Sequence, residues 1–253
     1  MVEHSSDRPF DIGALSDRGS VRSKNEDYYG IFDPETDELM VKRGMLVVVT
    51  DGMGGHLSGG EASRLVVEVM GRLYYADSKD TAVSALDKAF RNANRSVFEQ
   101  VGNGRKGTAG TTCTSLALFE DHYHIAHAGD SRAYLVKGGK MEQLTRDHSV
   151  VGEMVQKGLI DKDEAARHPR RNVLTRAVGL RGEVEPDIHE SLPFEKGDRI
   201  LVCTDGLYSM VDESEIAALS ADGGTDQICE KLVEEAKKNG GEDNVTVVII
   251  EKK

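Results

Sequence analysis

Residues 45–56 read MLVVVTDGMGGH: an uncharged run, then Asp51, then a series of glycines. An apolar, β-branched run of that length buries itself as a strand. Glycine lets the backbone turn at its end, so Asp51 is left at a rim instead of in the core. The same arrangement recurs along the chain. NED precedes YYGIF, HIAHAG precedes DSRAYLV, RILVCT precedes DG, and ED precedes NVTVVII, which puts Asp27, Asp130, Asp205 and Asp243 at strand ends as well. Carboxylates brought together at one rim cannot all stay ionised without compensation, and their oxygens are the ligands that Mg2+ and Mn2+ prefer. The glycines of 52–60 do not make a nucleotide loop, because the Lys-Ser/Thr ending of a P-loop is missing and no GxGxxG occurs.

On either side of this stretch, strands are expected at 10–16, 28–32, 111–119, 122–128, 133–139, 199–204 and 244–251. FEDHY and KGGK supply turn chemistry between neighbouring strands. From 61 onward Ala62, Leu65, Val66, Val69, Met70 and Leu73 recur at helical spacing, and Ala82, Leu86, Ala89, Ala93 and Val97 do so in a second helix. A last helix is expected at 226–237. The stretch 148–182 is charged, reads as mainly helical and forms a candidate flap. Blocks of strands and helices with antiparallel hairpins predict an α+β layered fold, not a doubly wound parallel sheet. No proline-rich or serine-rich linker interrupts the 253 residues, so 1–253 is read as one domain that includes the flap at about 148–182.

The formal charge of -12 argues against a nucleic-acid surface, which would need an excess of Lys and Arg. Cys113, Cys203 and Cys229 lie far apart without CxxC or Cys/His spacing, so they read as buried thiols of a reducing compartment. MVEHSSDRPF has neither the charged start and apolar core nor the cleavage site of an export signal. The longest apolar runs fall well short of the roughly 20 residues that span a bilayer. A cytoplasmic monomer without a membrane span is the expectation, since no heptad or apolar stripe points to association.

A single DG or GD is most often a plain turn, and Asp198 in KGDRILV is read as one. Together, however, NED at 25–27, DGMGGH at 51–56, GDSR at 129–132, TDG at 204–206 and EDN at 242–244 resemble the metal-dependent protein phosphatases of type 2C, in their compact bacterial form. The resemblance covers nearly the whole chain. It implies a four-layer α/β/β/α sandwich with two central, mostly antiparallel sheets and a dinuclear metal site at one edge. Asp51 would bridge two Mn2+ or Mg2+ ions and the Gly52 carbonyl would join their ligands, with Asp205 and Asp243 completing the pair. Glu26 and Asp27 would hold metal-bound waters, and Asp130 would share a third ion with Asp205. The implied reaction is hydrolysis of phosphoserine and phosphothreonine by direct attack of a metal-bridging water. Its partners would be phosphorylated proteins and a eukaryotic-like Ser/Thr kinase.

A planar guanidinium can hold two phosphate oxygens at once. Arg22, five residues before Asp27, has the spacing of the family, with Arg18 as the competitor. Histidine ordinarily titrates near the working pH, which makes His56 a candidate general acid for the leaving alkoxide. In animal members the histidine given that role directly follows DG, where this chain has Met53, so His56 could instead order the loop. In the flap, Arg167, Arg170, Arg171 and Arg176 either steer phosphorylated substrates or pair with Asp161, Asp163 and Glu164. Two other functions would use the same residues. One is hydrolysis of small phosphate esters or nucleotides. The other is phosphoprotein binding without turnover, against which the intact Asp27, Asp51, Asp205 and Asp243 speak.

Overall fold

In a computed structural model, which describes residues 8–34, 36–54, 58–76, 79–105 and 109–253, two five-stranded sheets are stacked. One contains β1 (Phe10–Asp17), β8 (Arg132–Lys137), β9 (Lys140–Gln143), β11 (Arg199–Cys203) and β12 (Val245–Lys252), in the order β1-β12-β11-β8-β9. The other contains β2 (Tyr28–Phe32), β3 (Met45–Thr50), β6 (Cys113–Leu118), β7 (His122–Ala128) and β10 (Asp187–Pro193), in the order β10-β7-β6-β3-β2. A short ribbon joins β4 (Gly52–Met53) to β5 (Gly110–Thr111). All the strand pairs are antiparallel. Among the described residues the α-helices are α1 (Asp37–Arg43), α2 (Ser58–Tyr74), α3 (Ala82–Ser96), which runs on into a π-helical turn at Val97–Val101, α4 (Val150–Gln156), α5 (Lys162–Arg167), α6 (Asp205–Tyr208), α7 (Glu213–Ser220) and α8 (Thr225–Lys238).

β3 explains the layering. It is buried at every position, so both of its faces must be covered. Met45, Val47 and Val49 point between the sheets, where they join Leu116, Ile125, Val202, Val248 and Ile250. Leu46 and Val48 alternate to the other face and pack with Val66 and Met70 of α2 and Leu86 and Phe90 of α3. Beyond the first sheet, Val247 and Ile249 of β12 meet Ile216 of α7 and Ile228 and Leu232 of α8. The result is the α/β/β/α sandwich that the resemblance implied. Each of these side chains contributes roughly 1.5–3 kcal/mol by leaving water.

Turn chemistry fixes the hairpin registers. Gly138 and Gly139 adopt φ of 57° and 74°, the paired left-handed geometry of a two-residue hairpin turn, and they set Lys137 opposite Lys140. Three expected strands, at 28–32, 45–50 and 122–128, have the observed bounds; the others agree within a few residues, except that 111–119 is broken at Thr112 into β5 of the ribbon and β6 of the main sheet. α1, β4, β9, β10, α6 and α7 were not anticipated.

The stretch 148–182 is a correction. Expected as mainly helical, it contains only α4 and α5, of 7 and 6 residues. Pro169 forces His168 into extended backbone (ψ 138°) and ends α5. The remaining backbone groups bond outside any helix. Val150 N–H donates to Val173 C=O, Thr175 N–H to His148 C=O, and Val178 pairs with Thr111. The segment is thus stitched to itself and to β5. Among the described residues, no helix is long and apolar enough to cross a membrane.

Candidate metal and phosphate site

Sheet register brings the acids to one end of the molecule. Tyr28 pairs with Thr50, so Asp27 and Asp51, one residue beyond each, flank the same end of the second sheet. In the first sheet Cys203 lies opposite both Arg132 and Val247. That places Asp205 at the start of α6, Asp130 in the turn between β7 and β8, and Asp243 just before β12 at a common end. Asp27 is buried, and Asp51, Asp130, Asp205 and Asp243 are half-buried.

Their charges are felt mutually. Burial, followed by the charges of Asp27, Asp205, Asp130 and Asp243, pushes Asp51 well above the usual carboxylate range. Asp130 is raised by burial, Asp205 and Asp147, and Arg132 offsets part of this. Burial lifts Asp27 to about 7, against hydrogen bonds from Thr246 and Thr204 that favour its charged form. Asp205 is lifted to about 6 by burial and Asp243, and a side-chain hydrogen bond with Asp51 restrains it.

Two observations test whether hard cations fit here. Oδ1 of Asp27 and Oδ1 of Asp205 are buried without a hydrogen-bond partner, which is costly unless something positive is held there. The donor set is all oxygen, which suits Mg2+ and Mn2+. Among the described residues no three His, Cys, Asp or Glu side chains close on one point as a finished metal cage. The carboxylates form a mutually repelling array, and on these two observations it fits such ions.

The surrounding residues hold this array in place. Asp27 Oδ2 accepts from the hydroxyls of Thr204 (2.9 Å) and Thr246 (2.7 Å). Thr246 in turn meets Ser16 Oγ at 2.8 Å, and Ser16 accepts from Asn25 at 2.8 Å. The Asp51 N–H donates to Thr112 Oγ1, and its carbonyl accepts from Thr112 N–H, each at 2.9 Å. Gly52 is needed for close approach, since a Cβ there would lie 2.4 Å from the Gly59 carbonyl carbon and 2.7 Å from the Glu26 carbonyl oxygen. The Glu26 carboxylate lies over Gly59 in the first turn of α2, an end that favours negative charge.

Of the two arginines considered for phosphate, Arg22 donates to Asp243 Oδ2 at 2.7 Å, and Asp243, Asp205 and Asp51 hold it charged against burial. Arg18 is exposed, and its carbonyl accepts from Asn244. His56 lies outside the described residues. Arg176 does not pair with Asp161, Asp163 or Glu164. It donates to Asp187 Oδ1 at 2.5 Å and to the Glu185 carbonyl. Arg170 and Arg171 are exposed on the turn after α5.

Several residues near the acids were not singled out from the sequence. Arg132 of GDSR forks onto Asp147 (2.7 Å at its shortest), reaches Glu213, and stacks 3.7 Å over the Tyr208 ring. Tyr208 donates to the Asp130 carbonyl at 2.9 Å, so this arginine braces the turn that carries Asp130. Thr204 and Thr246 did leave a signal, as hydroxyls at or within apolar strand runs. Asn244 stood in the quoted EDN without a role.

The chain belongs to the protein phosphatase 2C family. The sequence model of the family described as Protein phosphatase 2C matches residues 22–243. The serine/threonine phosphatase Stp of Listeria innocua serovar 6a is 34% identical over 247 residues, covering 94% of each chain. The solved serine/threonine phosphatase PstP/Ppp of Mycobacterium tuberculosis is 34% identical with a TM-score of 0.82, over 96% of this chain and 98% of that one. The catalytic domain of the serine/threonine protein phosphatase PstP, solved with 2 manganese ions, has a TM-score of 0.81 at 32% identity, over 96% and 97% of the two chains.

Proposed function

We infer that the protein hydrolyses phosphoserine and phosphothreonine on other proteins in a reaction that requires Mn2+ or Mg2+. The observation that carries this is the convergence of Asp27, Asp51, Asp130, Asp205 and Asp243, from both sheets, on one rim beside Arg22. Membership of the family, and relatives named as serine/threonine phosphatases, support the substrate class.

Asp51, the Gly52 carbonyl, Asp205 and Asp243 would hold two ions. Glu26 and Asp27 would hold their waters, and Asp130 with Asp205 a third ion. When bound, such cations lower the pKa of water to give a nucleophile near neutral pH and neutralise charge developing on phosphorus. Arg22 orients the phosphoryl group through two of its oxygens, exchanging its contact with Asp243 for the substrate. Thr204 and Thr246 favour the ionised form of Asp27 against burial, and hold Oδ2 so that Oδ1 is left without a protein partner. His56 is the candidate proton donor to the leaving alkoxide. Residues 1–253 serve as one catalytic domain with 148–182 as its flap. Arg170 and Arg171 offer charge to substrates, whereas Arg176 is committed to Asp187. A eukaryotic-like Ser/Thr kinase supplies the substrates, and the enzyme works as a monomer.

The test is phosphate release from a phosphothreonine peptide as Mn2+ is titrated, alongside a chelator, a nucleotide substrate and Asp51→Asn. Turnover of the peptide that the chelator abolishes, with Asp51→Asn reduced by at least about 100-fold, is the expected result. Preferential turnover of the nucleotide, or a folded protein inactive in saturating Mn2+, would reject it.

A further inference from the structure

We propose that Asn244 is the positioning residue for phosphate binding. Its side chain sets the loop that carries Arg22, and the proposal rests on the reading of Arg22 as the phosphate ligand. Asn244 is buried, and its carboxamide uses both ends on one loop. Nδ2 donates to the carbonyls of Arg18 (2.9 Å) and Lys24 (2.8 Å), and Oδ1 accepts from the Glu26 N–H at 2.8 Å. These three bonds bracket Arg22 on both sides. Residues 18–26 have no helix or strand of their own, so their backbone has few other partners to fix its path. Ser20 and Val21 N–H groups both lean on the Gly241 carbonyl, and the Gly19 N–H on Asp17.

The other side of Asn244 is equally constrained. Its own N–H donates to Asp243 Oδ1 at 2.8 Å, leaving Oδ2 to receive Arg22. Its carbonyl oxygen lies so near Gly206 that a Cβ there would be 2.0 Å away, which ties this residue to the first turn of α6 and hence to Asp205. One residue thus meets three parts of the rim, its side chain on the arginine loop, its N–H on Asp243 and its carbonyl against the first turn of α6. A guanidinium grips a phosphoryl group in one geometry only, and a loop free to drift would present it in many. Aspartate cannot replace this asparagine. It could still accept from Glu26, but it would set an oxygen against two carbonyls that need donors.

The experiment compares Asn244→Ala, Asn244→Asp, Arg22→Ala and the Asn244→Ala/Arg22→Ala double variant. Ile228→Val in the α8 core serves as the control for stability alone. For each, KM and kcat on a phosphothreonine peptide and the inhibition constant of inorganic phosphate are measured in saturating Mn2+. Hydrogen exchange of residues 18–27 is followed without metal. Both Asn244 variants are expected to raise KM and weaken phosphate inhibition by about tenfold. They should do so with little further effect in the Arg22→Ala background, and with exchange accelerated in 18–27. If Asn244→Ala fails to fold, Asn244→Asp carries the same test.

Losses that multiply in the double variant, or that merely track melting temperature as in Ile228→Val, overturn the proposal. If Arg22→Ala alone leaves KM and phosphate inhibition unchanged, the reading of Arg22 itself is wrong, and the role of Asn244 falls with it.

Discussion

Asp27 illustrates how a single side chain is made useful by its neighbours. Burial drives its pKa up to about 7, and the hydroxyls of Thr204 and Thr246 on Oδ2 are what favour the ionised form. Thr246→Val keeps the shape of the side chain and removes one donor. Loss of a hydrogen bond to a buried carboxylate costs roughly 1.5–3 kcal/mol. The variant should therefore be destabilised by up to that amount in urea melts above about pH 8, where Asp27 is ionised, and the acidic limb of its kcat/KM profile should move to higher pH. An unchanged limb would show that Thr246 does not set the charge of Asp27. The acid was legible in the sequence because a carboxylate beside an apolar run has few places to go. Its supports were not, since Thr204 and Thr246 are 177 and 219 residues away and only the fold makes them neighbours.

Among the elements, the stretch 148–182 departs most from its sequence, and Asp187 explains how it is held. Arg176 reaches Asp187 Oδ1 at 2.5 Å and Arg146 reaches Oδ2 at 2.7 Å, with His148 Nε2 3.2 Å from the same Oδ2. Burial acts to raise this carboxyl, but hydrogen bonds from Arg176 and Arg146, with His148 close by, hold it well below the usual carboxylate range. The stabilisation is therefore present above pH about 4 and lost as acid protonates Asp187. Asp187→Asn should cost about 1–2 kcal/mol at neutral pH, with Arg146 and Arg176 still partly hydrated, and speed hydrogen exchange over 146–178 before the rest of the chain. Uniform exchange across the molecule would remove Asp187 from that role. Helical propensity in α4 and α5 could be read locally. The edge strand β10 could not, because DIHESLP has little apolar content and acquires its conformation by pairing with β7.

At the scale of the whole molecule, the acids and the buried histidines pull stability in opposite directions with pH. Asp27 and Asp205, lifted to about 7 and about 6, stay protonated in the folded chain where they would be ionised unfolded. They therefore cost stability progressively as pH rises from about 4 to about 7. Cations held by those oxygens would cancel that cost. The gain in Tm that Mn2+ gives over a chelator should accordingly be larger at about pH 8 than at about pH 5. An equal gain at both would dissociate the ions from these carboxylates. His127, pushed down to about 4 chiefly by burial, acts the other way. It contributes stability above pH about 6.5 that is lost as pH falls toward 4, by up to roughly 3 kcal/mol, so the Mn2+-loaded protein should melt earlier on acidification through that window.

The layered α+β class and the placing of the acids at strand ends could be read from the chain alone. Period-two burial of apolar runs and the turn preference of glycine are local physics, readable from residues a few positions apart. Which atoms meet depended on the folded arrangement. Register set Asp27 against Asp51 and Cys203 against Arg132 and Val247, and burial turned separate carboxylates into one coupled charge. It also gave Asn244 its three partners, at least 218 residues distant, because hydrogen bonding depends on position in space and leaves no periodic trace in the chain.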